Sequence, residues 1–269
     1  MQLRAFAPVS GWTAPDLSSL PSWKSAARVS IDTETCDPDL KELGPGPRRG
    51  GYVVGISIAI QRSLEDDPAR APSWYLPIRH EGGGNMDPAR VLEYLRAQRD
   101  FDRDLVGARM PYDLDHLAEV GVEFPYATTR DVQVAEPLLD ELQYSYGLEA
   151  IAGRNGLEGK DERLLYQAAK HFCGHEKKGS KKWNPKAHIW RLPARHVGPY
   201  AEQDAVLPLQ VLAAQERRIR ALDAADERVQ AGKARSLWSL WELECRLLPV
   251  LVDMTRRGVR VEGPRRVSR

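Results

Sequence analysis

The chain has 269 residues, room for one large domain or two small ones. With 39 Lys and Arg against 38 Asp and Glu, its formal net charge of +1 argues neither for nor against a nucleic-acid partner. A hydrophobic share of 42% with 29% charged residues excludes wholesale disorder, and no apolar run approaches the roughly 18 residues of a membrane span.

Residues 1–26, rich in Pro, Ser and Trp, read as an irregular lead-in without the apolar core or cleavage site of a signal peptide. Ala27–Thr33 alternates as a strand and runs into acids and a Pro/Gly loop, Pro38–Gly51. Tyr52–Ile60 is a β-branched second strand, and Ser73–Arg79 a third, with Pro77 favouring an edge or an end. Pro88–Gln98 carries Val91, Leu92 and Leu95 at helical spacing, with Asp87 as N-cap. Asp104–Ala108 is a short strand, and Pro111–Val120 the next helix. Beyond Asp131 the pattern is helical: Val134, Leu138 and Leu139 share a face. Ser145 caps Tyr146–Arg154, which stops at Asn155-Gly156, and Arg163–His171 follows. Gly174–Lys186 reads as a loop. Ala194–Ile219 is a long helix broken near Pro199 or Pro208, and Ser236–Arg257 a last helix, kinked at Pro249 and capped by Gly258. Strands first and helices after predict an α/β fold, a mixed sheet with helices packed around it.

Three acidic pieces stand out. In SIDTET, Asp32 and Glu34 are two apart on a strand, so their carboxylates project from one face. Two carboxylates so close repel unless a cation neutralises them, and a hard divalent ion with oxygen ligands does so. In GARMPYDLDHL, Asp113 and Asp115 fall in a first helical turn, where the helix dipole favours acids. In YAEQD, Tyr200 and Asp204 are four apart on a helix and share a face. Each piece alone has a purely structural explanation; the ordered set does not.

That set resembles the proofreading 3′–5′ exonuclease domain of family A DNA polymerases, the tyrosine branch of the ribonuclease H-like DEDD superfamily. The likeness covers about residues 25–215. It includes DVQVAEPLLDELQYSYGLEAIA between the second and third motifs and RLPARHVGPYAEQDAVLPLQ around the third, the latter as in phage polymerases. It implies a ribonuclease H-like mixed sheet over residues 27–220. It also implies two-metal phosphodiester hydrolysis, with ions about 3.5–4 Å apart clamping the attacking and leaving oxygens. Asp32 then bridges both ions, Glu34 and Asp204 complete one site, Asp113 supports the other, and Tyr200 orients the attacking water. Mg²⁺ is the implied ion, with Mn²⁺ as substitute. The implied substrate is a single-stranded DNA 3′ end.

One position departs from the family. Four residues before the second motif's aspartate the family usually has asparagine; this chain has Arg109. An arginine here either contacts substrate phosphate, repels metal or restricts the substrate. From Lys177 to Arg195 there are seven basic residues and no acid, interleaved with Trp183, His188 and Trp190. Lys181, Lys182, Trp183, Lys186 and Arg195 are therefore candidate nucleic-acid contacts, against the alternative of a solvated charged loop. Gly82–Gly84 lacks the context of a phosphate cradle, so His80 and Asn85 are assigned to a turn. His171, Cys173 and His175 lack a second ligand pair for zinc. Three distant cysteines fit a reducing cytoplasm, that of a bacterial host for a phage protein.

Residues 221–269 resemble the start of the polymerase portion, where a helix ending in Met-x-x-x-Gly-Val leads out of the exonuclease. Leu237, Leu240, Trp241, Leu247, Leu248, Leu251 and Met254 form an apolar stripe on it, expected to fold back on residues 194–219 or to recruit a partner such as a separately encoded polymerase chain. Arg256, Arg257, Arg260, Arg265, Arg266 and Arg269 would lie beside it. With no length left for palm or fingers, the expectation is that this chain does not polymerise nucleotides. Two rival functions are a catalytically silent nucleic-acid-binding scaffold of a split polymerase and an RNA-trimming exonuclease of the same superfamily.

Overall fold

The computed structural model describes residues 7–124, 128–174 and 184–259. At its centre β1 (Arg28–Cys36) lies in a five-stranded mixed sheet of order β3-β2-β1-β4-β5. β2 (Tyr52–Gln61) and β3 (Ser73–Pro77) run antiparallel on one side, β4 (Asp104–Gly107) and β5 (Thr129–Asp131) parallel on the other. The continuous apolar run of β2 is explained by burial on both faces. Pro77 ends an edge strand, where its missing N–H costs nothing. β1 extends three residues beyond the strand expected from sequence. Its pairing with β2 continues across a register shift between Glu34 and Thr35, so the two acids lie inside the strand and not at its end.

Helices cover both faces. Val29 and Ile31 point to one side, where Trp23, Leu95, Met110 and Leu117 close a core under α2 (Pro88–Arg96) and α3 (Met110–Glu119). Asp87 caps α2 as expected, its Oδ1 accepting from the N–H groups of Ala89 and Arg90 at 2.9 and 3.4 Å. The lead-in is more ordered than its composition implies. It forms 3-10 turns at Leu17–Ser19 and Trp23–Ser25, and Trp23 is fully buried. A short α1 (Leu40–Leu43) lies in the loop after β1.

On the opposite face are α4 (Val132–Leu139), α5 (Leu148–Arg154), α6 (Arg163–Cys173) and α7 (Ala194–Ala225). α5 has Gly147 at its N-cap with no side-chain cap; Ser145 instead accepts from the Gly147 N–H, one step before the helix. α7 corrects the expected break: it is one helix of 32 residues through Pro199 and Pro208. Pro199 cannot donate to the carbonyl four residues back, that of Arg195, and the Ser10 hydroxyl donates to that carbonyl instead, at 2.5 Å. Pro208 is on the buried face, held by packing.

After α8 (Glu227–Gln230), α9 (Leu237–Arg257) runs without interruption through Pro249 to Gly258 at φ +67°, whose N–H donates to the Met254 carbonyl. It packs on α3, α4, α7 and β5, closing the β5 edge of the sheet. Its buried stripe is Trp241, Cys245, Leu248 and Val252. Leu247, Leu251 and Met254, expected in the same stripe, are exposed on the next face. No helix among the described residues is long and apolar enough to cross a membrane.

Candidate active site

Asp32 and Glu34 leave β1 on the side opposite Ile31, toward α7. One helical turn of α7 then brings Tyr200 and Asp204 onto the same ground. Carboxylate oxygens of Asp32, Glu34 and Asp204 lie within 4.8 Å of one another. Glu34, Tyr200 and Asp204 are buried, and Asp32 is partly so. The donor set is all oxygen and anionic, which fits a hard divalent cation.

Asp113 stands outside that trio. It enters from the first turn of α3, and its Oδ1 accepts from both the backbone N–H and the hydroxyl of Thr33, the residue between the two strand acids. Asp115, grouped with it by sequence, lies elsewhere. It is buried against Arg48, whose guanidinium grips it at 2.8 and 3.1 Å, and against Arg256 of α9 at 2.7 Å. Those arginines hold its carboxyl below the usual range.

The cluster's electrostatics are those of buried carboxylates crowded together. Burial, then the neighbouring Asp204, pushes the Asp32 carboxyl up to about 7. Burial followed by Asp32 and Asp204 raises Glu34, and burial followed by Asp32 raises Asp113. The Tyr200 phenol is raised by burial and then by Asp204 and Glu34, so it stays protonated and can donate a hydrogen bond.

Lys160 is the residue that sequence reasoning missed. It lies in the loop between α5 and α6, 7% exposed at its side chain, with its ammonium against Asp204 Oδ1 and 3.3 Å from Glu149 Oε1. It also lies 5.1 Å from the centre of the Tyr200 ring. An isolated lysine 44 residues before its partner carries no motif; only the fold makes the pair. Tyr75 is a second such residue. Its hydroxyl lies over Gly55, the strand partner of Glu34, where any Cβ would come within 2.2 Å of it, and hydrogen-bonds His80 Nε2 at 2.7 Å. Burial lowers His80 to about 4, so its imidazole is neutral.

The expected nucleic-acid contacts divide. Lys186, in a 3-10 turn over Pro185–Arg191, reaches the site: its ammonium pairs with Glu162 and lies 5.2 Å from the Tyr200 ring centre. Arg195 is exposed on the first turn of α7, away from these contacts. Arg109 is exposed at the N-cap of α3 with φ +66°, its guanidinium 5.2 Å from the Tyr112 ring centre. Lys181, Lys182 and Trp183, His175 of the triplet considered for zinc, and Arg260, Arg265, Arg266 and Arg269 of the tail lie outside the described residues. His80 and Asn85 do form a turn, exchanging backbone-to-amide hydrogen bonds of 2.7 and 2.8 Å. Gly82 packs against Leu192 and Pro193 at the start of α7, too close for a Cβ.

The class is defined by the fold: a ribonuclease H-like mixed sheet with these acids on its central strand and on the helix that crosses it. No protein-family model matches the chain. A DNA-directed DNA polymerase of Pseudomonas phage M6 is 49% identical over 260 residues, 95% of this chain and 35% of that protein. DNA polymerase DpoZ of Salmonella phage PMBT28 is 26% identical over 246 residues, 91% of this chain and 33% of that one. The chain thus spans about a third of the length of the curated relatives it matches. Among solved structures, Brucella melitensis NrnC bound to pGG superposes with a TM-score of 0.51 at 19% identity, over 93% of this chain and 95% of that one. A nuclease solved in its apo form gives 0.50 at 14%, over 88% and 86%. Sequence and fold together bear out the resemblance to the exonuclease domain of phage DNA polymerases.

Proposed function

We propose that the chain is a metal-dependent 3′–5′ exonuclease of the proofreading type, acting on single-stranded DNA 3′ ends. The observation that carries this reading is the convergence of Asp32, Glu34 and Asp204 oxygens within 4.8 Å, with Tyr200 one turn from Asp204. Asp32, Glu34 and Asp204 would hold one divalent ion, and Asp32 with Asp113 a second; Mg²⁺ is the proposed cellular ion and Mn²⁺ its substitute. When bound, the ions polarise the scissile phosphate and make the attacking water more acidic.

The chain's own groups supply positioning. Tyr200, protonated, donates a hydrogen bond to the attacking water and so fixes its line of approach. Thr33 holds the Asp113 carboxylate from two directions, leaving its second oxygen available. Lys186, a third exposed and beside Tyr200, faces incoming phosphate. Water adds to phosphorus, the bond to the 3′ oxygen breaks, and that oxygen leaves with a proton. The polymerase that such an activity serves is either the remainder of a longer chain or a separate one, in the cytoplasm of the phage's host.

The test is a 5′-labelled single-stranded DNA and its RNA counterpart incubated with Mg²⁺, Mn²⁺ or EDTA. A ladder shortening from the 3′ end, present with either metal and absent in EDTA, is expected for DNA. Cleavage that persists in EDTA or begins internally overturns the reading, as does no product with either metal. Faster trimming of the RNA would assign the RNA-trimming alternative.

A further inference from the structure

Among the described residues, Lys160 is the one basic side chain paired with a carboxylate of the cluster; Asp32, Glu34 and Asp113 have no ion pair. Its aim is set by the backbone that follows it: the Asp161 N–H donates to Gln203 Oε1 at 2.8 Å, on α7 directly before Asp204. A long, flexible side chain is thereby delivered to one carboxylate.

We propose that Lys160 is the resident counter-cation of the acidic cluster, which a divalent ion must displace from Asp204, and that it thereby sets the metal affinity of the site. The proposal rests on the metal-dependent reading above. One positive charge against several carboxylates lessens their repulsion without cancelling it, so the folded chain tolerates the cluster while still favouring a dication. An ammonium and a dication on the same carboxylate repel, and in a site screened from water that repulsion is large. Glu149, 47% exposed at its side chain and already 3.3 Å away, gives the displaced ammonium a place to rest without leaving the protein.

Calorimetric titration of Mn²⁺ into the wild-type chain and into Lys160→Gln and Lys160→Met, with metal-free melting temperatures, tests this. Both neutral variants should bind Mn²⁺ at least tenfold more tightly than wild type, melt lower without metal, and gain more in melting temperature when Mn²⁺ is added. Lys160→Arg, which keeps the charge, should stay within about threefold of wild type. Unchanged or weaker Mn²⁺ binding in both neutral variants, while wild type binds, overturns the inference and leaves the metal-dependent reading standing. No Mn²⁺ binding by any of the proteins overturns both. Failure of both neutral variants to fold, with or without Mn²⁺, also overturns it, because Lys160 would then be a structural residue.

Discussion

The Asp131 carboxylate reaches back 21 residues to accept the Met110 N–H at 2.8 Å. The same group accepts from Arg109 at 3.2 Å and, at the start of its own helix, from Gln133 at 2.8 Å. One buried acid therefore caps both α3, which carries Asp113, and α4. It sits at the end of β5, so the sheet's edge strand sets where α3 begins.

Asp131→Ala should cost about 2 kcal/mol or more, at least twice a single N-cap, whereas Asp87→Ala, which uncaps α2 alone, should cost about 1 kcal/mol. Urea denaturation of the two variants measures the difference. Exonuclease activity should fall in Asp131→Ala through the misplaced Asp113. Equal midpoints for the two would show that the shared cap adds nothing.

Substitutions in the cluster should separate activity from stability in opposite ways. Asp32→Asn removes a repelling charge, so the metal-free protein should melt at the same or a higher temperature while losing activity by orders of magnitude. Asp204→Asn should lose activity equally but melt lower, because it strands the buried Lys160 ammonium without its main partner. Thermal melts in EDTA distinguish them; two identical shifts would refute the pairing argument.

Tyr200→Phe keeps the buried ring and removes the hydroxyl. With the phenol protonated, its loss should lower the single-turnover rate about 10–1,000-fold, with little change in DNA affinity. The rate should show no pH limb belonging to the phenol, since burial and the adjacent acids hold it above its ordinary value of 10. An unchanged single-turnover rate would remove Tyr200 from the catalytic set.

Much of this site was legible in the sequence because its two halves are local. Asp32 with Glu34 needs only the strand period, and Tyr200 with Asp204 only the helix period. What escaped depends on long-range contacts. β5 is three residues, Thr129–Asp131, too short and polar to show alternation, and exists because β4 pairs with it. α7 passes Pro199 because Ser10, 185 residues away, satisfies the freed carbonyl. The Arg48–Asp115–Arg256 cluster joins a loop, α3 and α9, with Asp115 67 residues from Arg48 and 141 from Arg256, and nothing local marks it.

Arg109 combines exposure with a left-handed backbone at φ +66°, a region that asparagine tolerates better than arginine. Arg109→Asn should therefore stabilise the chain by about 0.5–1 kcal/mol. It should also flatten the salt dependence of DNA binding, measured in Ca²⁺, by about one phosphate contact. Identical salt slopes would exclude a direct phosphate contact, whatever happens to stability.

The two apolar faces of α9 make the last contrast. Trp241 is fully buried, with its indole N–H toward the Asp131 carbonyl at 3.4 Å and the Arg130 guanidinium 5.8 Å from its ring. Cys245, Leu248 and Val252 continue that face over α3, α4 and β5. Trp241→Ala should cost about 3–5 kcal/mol, the scale for emptying a large aromatic site. Leu251, 51% exposed on the neighbouring face, should tolerate Ser within about 0.5 kcal/mol. Removing residues 236–269 should cost more than Trp241→Ala, since it also bares the β5 edge and takes Arg256 from buried Asp115. The shortened protein should melt lower and self-associate through the open edge, which light scattering would show. A trimmed monomer with an unchanged melting temperature and full nuclease activity would instead make α9 dispensable to the domain.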